Sequence, residues 1–140
     1  MYGLRLRNLA TVFVDAQSLG YSASLLGPLS DAFRDEGLFP TLIQEGPMPR
    51  IALTSPNGDW RLLLLSQRFD VWQLPTSPVG DGGMAGFADF CARARPLLTK
   101  AIDHFGKKGH RLAALQEGFL PDMSAKQLDD VSQWRCLGST

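Results

Sequence analysis

The segment PRIALTSPNGDWRLLLLSQRFDVWQL, Pro49 to Leu74, leaves this chain little freedom in its fold. Two apolar runs flank Asn57-Gly58, the commonest filling of a type I′ turn, in which both central residues need φ > 0. A two-residue connection there sets the register: Thr54 opposite Arg61, Leu53 opposite Leu62, Ala52 opposite Leu63 and Ile51 opposite Leu64. Side chains alternate across a strand. One face therefore carries Ile51, Leu53, Trp60, Leu62 and Leu64 and reads as core. The other carries Arg50, Ala52, Thr54, Arg61, Leu63 and Leu65 and is mixed.

Elements before and after the hairpin follow from punctuation and period. Leu9 to Asp15 reads as a first strand, β-branched at Thr11, Val12 and Val14. Pro28 suits a helix start, with Gly37 as its stop and Pro40 beyond, although 22–36 also reads as one kinked helix. Thr41 to Gln44 suggests a strand. Phe69 to Leu74 reads as the third strand of a meander, entered by a longer loop or a bulge because Gln67-Arg68 is poor chemistry for a primed turn. The Pro- and Gly-rich stretch 75–86 is a connection. From Phe87 to Phe105 an apolar stripe runs through Phe90, Cys91, Ala94, Leu97, Leu98 and Ala101 at helical spacing, with Pro96 either kinking that helix or opening a second. Gly106 ends it. His110 to Leu115 suggests a short strand, and Ser124 with Gln127 fits a capping box for a last helix from Ala125 to about Arg135. Adjacent strands with short loops imply an α+β fold: an antiparallel meander sheet of about four to five strands, with two to three helices packed mainly on one face. The 140 residues fit a single domain, 1–140.

Composition and motifs exclude more than they suggest. The formal net charge is zero, so no global field favours nucleic acid or a membrane surface. No apolar window approaches a membrane span, and only two cysteines occur, Cys91 and Cys136. Cys91 lies on the apolar helix stripe and reads as a buried free thiol, which points to a reducing, cytoplasmic setting. No CxxC, HExxH, EF-hand, GxSxG, Walker A or GxGxxG pattern is present, and neither His104–His110 nor Gly80, Gly82 and Gly83 has the context of a metal or phosphate site. Cofactors, metal ligands and catalytic residues are therefore not expected.

Two features bear weighing against that reading. Asp15 ends a strand in VFVDAQSL and resembles the opening of PIN-like nucleases, where a strand-end Asp is a metal carboxylate; Asp70, Asp129 and Asp130 are the only further candidates. An antiparallel meander argues against the converging strands such a site needs. The segment Arg93 to Arg111, with Arg95, Lys100, Lys107 and Lys108 between, is locally basic but lacks interleaved aromatics, and a solvated helix face accounts for it better than nucleic-acid binding.

A looser resemblance covers residues 40–124. The Phe39-Pro40 pair, the hairpin from Thr54 to Asp59, the apolar strand after it, the aromatic-led helix and RLAALQEGFLPDMS from Arg111 to Ser124 are similar to a sporadically distributed, uncharacterised family of bacterial proteins with a Ser-x-Asp-Gly-type hairpin. Asn57-Gly58 stands here where Asp-Gly is usual. The resemblance implies a non-enzymatic bacterial protein carried near mobile-element or defence genes, and one half of a longer family architecture.

The remaining oddity is the second face of the meander. If Leu64 pairs with Val71, then Leu63 and Leu65 sit beside Trp72, and the sheet is apolar on both sides. The expectation is a protein–protein interaction module of inhibitor, adaptor or immunity type. Its partner would be another protein or its own copy, and its contact residues Arg61, Leu63, Leu65 and Trp72.

Overall fold

The hairpin forms in the expected register, Ile51↔Leu64 through Thr54↔Arg61, but through a different turn. The computed structural model describes residues 4–14, 21–44, 46, 48–76 and 86–119. Within them the chain runs β1 (Leu4–Val14), α1 (Leu26–Phe33), β2 (Phe39–Ile43), β3 (Arg50–Thr54), β4 (Trp60–Leu64), β5 (Arg68–Gln73), α2 (Phe87–Phe105) and β6 (Gly109–Phe119). At the β3–β4 turn only Gly58 has positive φ, 79°, so the turn is not type I′. Pro56 explains this: a two-residue turn needs an N–H from the residue before it, and proline has none. The loop instead widens to Pro56–Asp59 about the same centre, so the register is kept. Ser55 holds it: its N–H donates to the Trp60 carbonyl at 2.9 Å, and its Oγ accepts from the Trp60 N–H at 3.0 Å and donates to Asp59 at 2.7 Å.

The next turn also departs from expectation. It is a tight reversal at Ser66-Gln67, closed by the Leu65 N–H on the Arg68 carbonyl at 3.0 Å, with neither a longer loop nor a bulge. Leu64 consequently pairs with Phe69, and Val71 pairs with Leu62. Unfavourable local chemistry is overridden from outside. The Tyr21 hydroxyl donates to the Leu65 carbonyl at 2.5 Å, and the Val14 N–H donates to the Gln67 carbonyl at 3.0 Å.

Among the described residues the sheet has six strands, in the order β2-β3-β4-β5-β1-β6, every neighbouring pair antiparallel. The fold is thus α+β with an antiparallel sheet, a four-stranded meander extended by β1 and β6 beyond the four to five strands expected. The short segment at His110 to Leu115 is part of an eleven-residue strand. Its alternation is weak because its residues are small or mixed on both faces.

Helix ends follow their glycines. Gly37 and Gly106 adopt the left-handed conformation, and the bonds Leu38 N–H to Phe33 O and Lys107 N–H to Ile102 O close Schellman-type ends. Helical structure begins upstream of Pro28, with a 3-10 turn at Ala23–Leu25 leading into α1 and another at Arg34–Glu36 leaving it. The 22–36 segment is therefore one irregular helical run. Pro96 lies inside an unbroken α2, on its exposed side, where the Ala92 carbonyl that it leaves without a helical donor can turn to water. Phe87, Phe90, Cys91, Ala94, Leu97, Leu98 and Ala101 are all buried, as the stripe requires.

Topology puts both helices on one face. β1 and β2 are parallel to each other, joined through α1; β5 and β6 are parallel, joined through α2. The two crossovers travel in opposite directions along the sheet and start from oppositely directed strands. If both obey the right-handed rule, both helices land on the same side. They do: Leu29 and Phe33 of α1 share one core with the α2 stripe and with Leu53, Leu62, Leu64, Phe69 and Val71. Trp60 stacks on Phe90 with ring centroids 5.5 Å apart. At the end of α2 the backbone comes close to β1: a Cβ on Gly109 would meet Val12 Cγ2 at 2.9 Å and Ile102 Cδ1 at 3.2 Å. No helix among the described residues is long and apolar enough to cross a membrane.

Candidate protein-interaction face

The opposite side of the sheet carries no helix among the described residues. It is built from alternate residues of all six strands, in rows defined by the pairing. One row runs Leu115, Leu9, Trp72, Arg61, Thr54, Phe39; the next runs Ala113, Thr11, Asp70, Leu63, Ala52, Thr41. Arg61, Leu63, Leu65 and Trp72 all lie on this face, Arg61 exposed and the other three half-buried. Their neighbours differ from the expectation. Because Leu64 pairs with Phe69, Trp72 stands opposite Arg61, Leu63 stands opposite Asp70, and only a diagonal relation links Leu63 to Trp72.

Trp72 is held in a cationic setting. The Arg7 guanidinium lies 4.4 Å from its ring centroid, and Arg61 is its cross-strand partner. Leu9, its other neighbour, and Phe13, 40% exposed, extend the apolar surface along β1. Phe39, 48% exposed, ends the row at the β2 edge. Leu9, Thr11 and Phe13 alternate with Ala10, Val12 and Val14, so period two could have found them. Arg7 could be placed only once β1 was known to lie beside β5.

Asp70 is the main surprise. It sits in the middle of the face yet is 1% exposed, accepting a hydrogen bond from Thr11 Oγ1 at 2.8 Å and facing Arg68 Nε at 3.3 Å. Burial raises its pKa above the ordinary 3.8, more than Thr11 and Arg68 lower it. A raised folded-state pKa means that the native state holds this proton more tightly than the unfolded chain. The stability it contributes is present below the unfolded value and is lost as pH rises through the folded one. Asp70→Asn, which imitates the neutral carboxyl, is therefore expected to gain stability relative to the parent as pH climbs from below 4 toward neutrality. Urea melts of both proteins across that range test this; a constant difference would remove the argument.

The alternative sites come apart in the structure. Asp15, Asp129 and Asp130 lie outside the described residues. Among the described residues no group of three or more His, Cys, Asp or Glu side chains is arranged to hold a metal ion. The basic segment does not form one surface. Arg93 donates to the Glu36 carbonyl at 3.3 Å and lies 4.3 Å over the Trp60 ring, while Lys100 reaches Glu36 Oε1 at 3.5 Å and lies 5.4 Å from the Phe33 ring. Both tie α2 to the end of the α1 run. Arg111 is on the other side of the sheet. The expectation of a free thiol is corrected: Cys91 is disulfide-bonded, and Cys136, the chain's other cysteine, lies outside the described residues. A helical stripe can show that a cysteine is buried, but not what its sulfur meets. The predicted helix from Ala125 to Arg135 also lies outside them.

Comparison with known proteins returns no match, whether with family models, with curated proteins or with solved structures.

Proposed function

We propose that this protein is a non-enzymatic interaction module that binds another protein, or its own copy, through the face of its sheet opposite α1 and α2. It would act in the manner of an inhibitor, adaptor or immunity-type factor. The observation that carries this reading is Trp72: a half-buried indole between Arg7 and Arg61, bordered by Leu9 and diagonal to Leu63. Trp and Arg are the residue types that most often dominate binding energy, and an apolar centre with a polar rim is the usual anatomy of an interface. Arg61, Leu63, Leu65 and Trp72 are the proposed contacts.

Trp72→Asp is expected to weaken partner binding by about 30-fold or more, the size of a hot-spot loss, while the circular dichroism spectrum and melting temperature stay near those of the parent. Loss of folding would make Trp72 a core residue, and unchanged binding would move the contact elsewhere. We propose the cytoplasm as its compartment, since two cysteines are a sparse set for a small secreted domain. Recovery of the protein outside the cytoplasmic fraction, the setting in which a disulfide such as that of Cys91 persists, would overturn it.

A further inference from the structure

The two edges of the sheet differ in a way that bears on self-association. Bonds outside the strands fix which way each backbone group points. The Ser55 N–H reaches Trp60, so Ser55, Leu53 and Ile51 turn to β4, and Pro40 and Leu42, opposite Leu53 and Ile51, turn their backbone outward from β2. Pro40 has no N–H to offer there. The β2 edge is also short, five residues, and short strands and proline are the usual means by which an edge is kept from pairing.

The β6 edge has neither protection. The Val14 N–H turns to Gln67 of the β4–β5 turn, so Phe13, Thr11 and Leu9 turn to β6, and the residues between their partners, Leu112 and Ala114, with Gln116 beyond, turn their N–H and C=O outward. No described strand pairs with that side. Register irregularities fall at Arg5/Arg7 and at Phe13/Val14. Between them β6 is regular from Arg111 to Glu117, a stretch without proline or glycine whose midpoint is Ala114.

We propose that β6 pairs antiparallel with β6 of a second copy about a two-fold axis at Ala114, joining two sheets into one. This register matches outward-facing backbone with outward-facing backbone: Ala114 meets Ala114 of the partner subunit, and Leu112 meets Gln116 of the partner subunit. It also makes the sequence RLAALQE complementary to itself. The Arg111 position stands opposite Glu117 of the partner subunit, and small Ala113 opposite Leu115 of the partner subunit. A two-fold interface requires this self-complementarity, and opposite charges directly across a ladder stabilise it. The contact uses the sheet edge, not its face, so it stands or falls separately from the binding role of Trp72.

Light scattering and sedimentation of the full chain as a function of concentration test the proposal. The expected result is a reversible dimer of twice the 15.3 kDa chain mass. Arg111→Glu sets like charges opposite each other twice and is expected to raise the dimer Kd by about tenfold. Glu117→Arg alone should do the same. Mixed together, the two variants present complementary charges at both positions and should associate more tightly than either does with itself, each variant having first been shown to melt cooperatively. A chain that stays monomeric at every concentration overturns the proposal. So does a dimer indifferent to Arg111→Glu, or a mixture that shows no preference for the heterodimer.

Discussion

Replacing Phe90 by alanine is expected to destabilise the protein by about 3–5 kcal/mol, the usual cost of deleting a buried phenyl ring where the surroundings cannot collapse. Phe90 is fully buried in the first turn of α2, stacked on Trp60 at 5.5 Å and edge-on to Phe87 at 6.4 Å. Its position is anchored on both sides. Its own N–H bonds the Gly86 carbonyl at 2.9 Å, and Trp60 is pinned by the Ser55 hydroxyl through its N–H. Neither partner is free to fill the hole. Against a total stability of roughly 5–15 kcal/mol for a domain of ordinary size, the loss is a large fraction. Urea titration should show a lower midpoint with the slope unchanged. A shift worth less than about 1 kcal/mol, the level of a surface substitution, would mean that α2 does not pack on Trp60 as described.

Asn8→Leu is the second large effect, and its cause is polar. Asn8 is fully buried between two glutamines. Its Nδ2 donates to Gln73 Oε1 at 2.8 Å, and its Oδ1 accepts from Gln116 Nε2 at 2.9 Å. Leucine is close in size but would leave the Gln73 acceptor and the Gln116 donor unpaired. Each orphaned group costs about 1–3 kcal/mol where water cannot reach, and Gln116 is only half-buried, so about 2–4 kcal/mol in total is expected. The double variant Asn8→Leu, Gln73→Leu should recover much of the loss, since it removes the buried orphan together with its partner. If the double variant is no better than the single one, crowding rather than an unpaired amide is responsible.

These two predictions also mark how far the chain could be read without its structure. Phe90 was legible because helical spacing from Phe87 to Phe105 is a local pattern, and burial of that stripe hardly depends on what it packs against. Asn8 was not. It lies on the core face of a strand beside Ala10, Val12 and Val14, and its two partners stand 65 and 108 residues away in sequence. Nothing local distinguishes it from a solvent-facing asparagine. Asp70 was invisible as a buried group for the same reason, since Thr11, 59 residues away in sequence, meets it only after β1 has paired with β5. The register of β4 on β5 was misread because Tyr21 and Val14, distant in sequence, stabilise a turn that Ser66-Gln67 would not favour alone.

By itself the amino-acid sequence determined the elements whose signals lie within a few residues: the β3–β4 register, the core face of that hairpin, the stripe of α2 and the glycine ends of both helical runs. The hairpin register survived even a different turn, because the Pro56–Asp59 loop keeps the same centre as the Asn57-Gly58 pair. Only the tertiary structure decided where β1 and β6 join the sheet, which side α1 and α2 cover, and hence that Trp72, Leu63 and Arg61 share the face that carries no helix among the described residues. Alternation along a strand separates two faces but cannot say which of them a helix will bury. That choice belongs to the crossovers, whose handedness is a property of the connected strands and of no single segment.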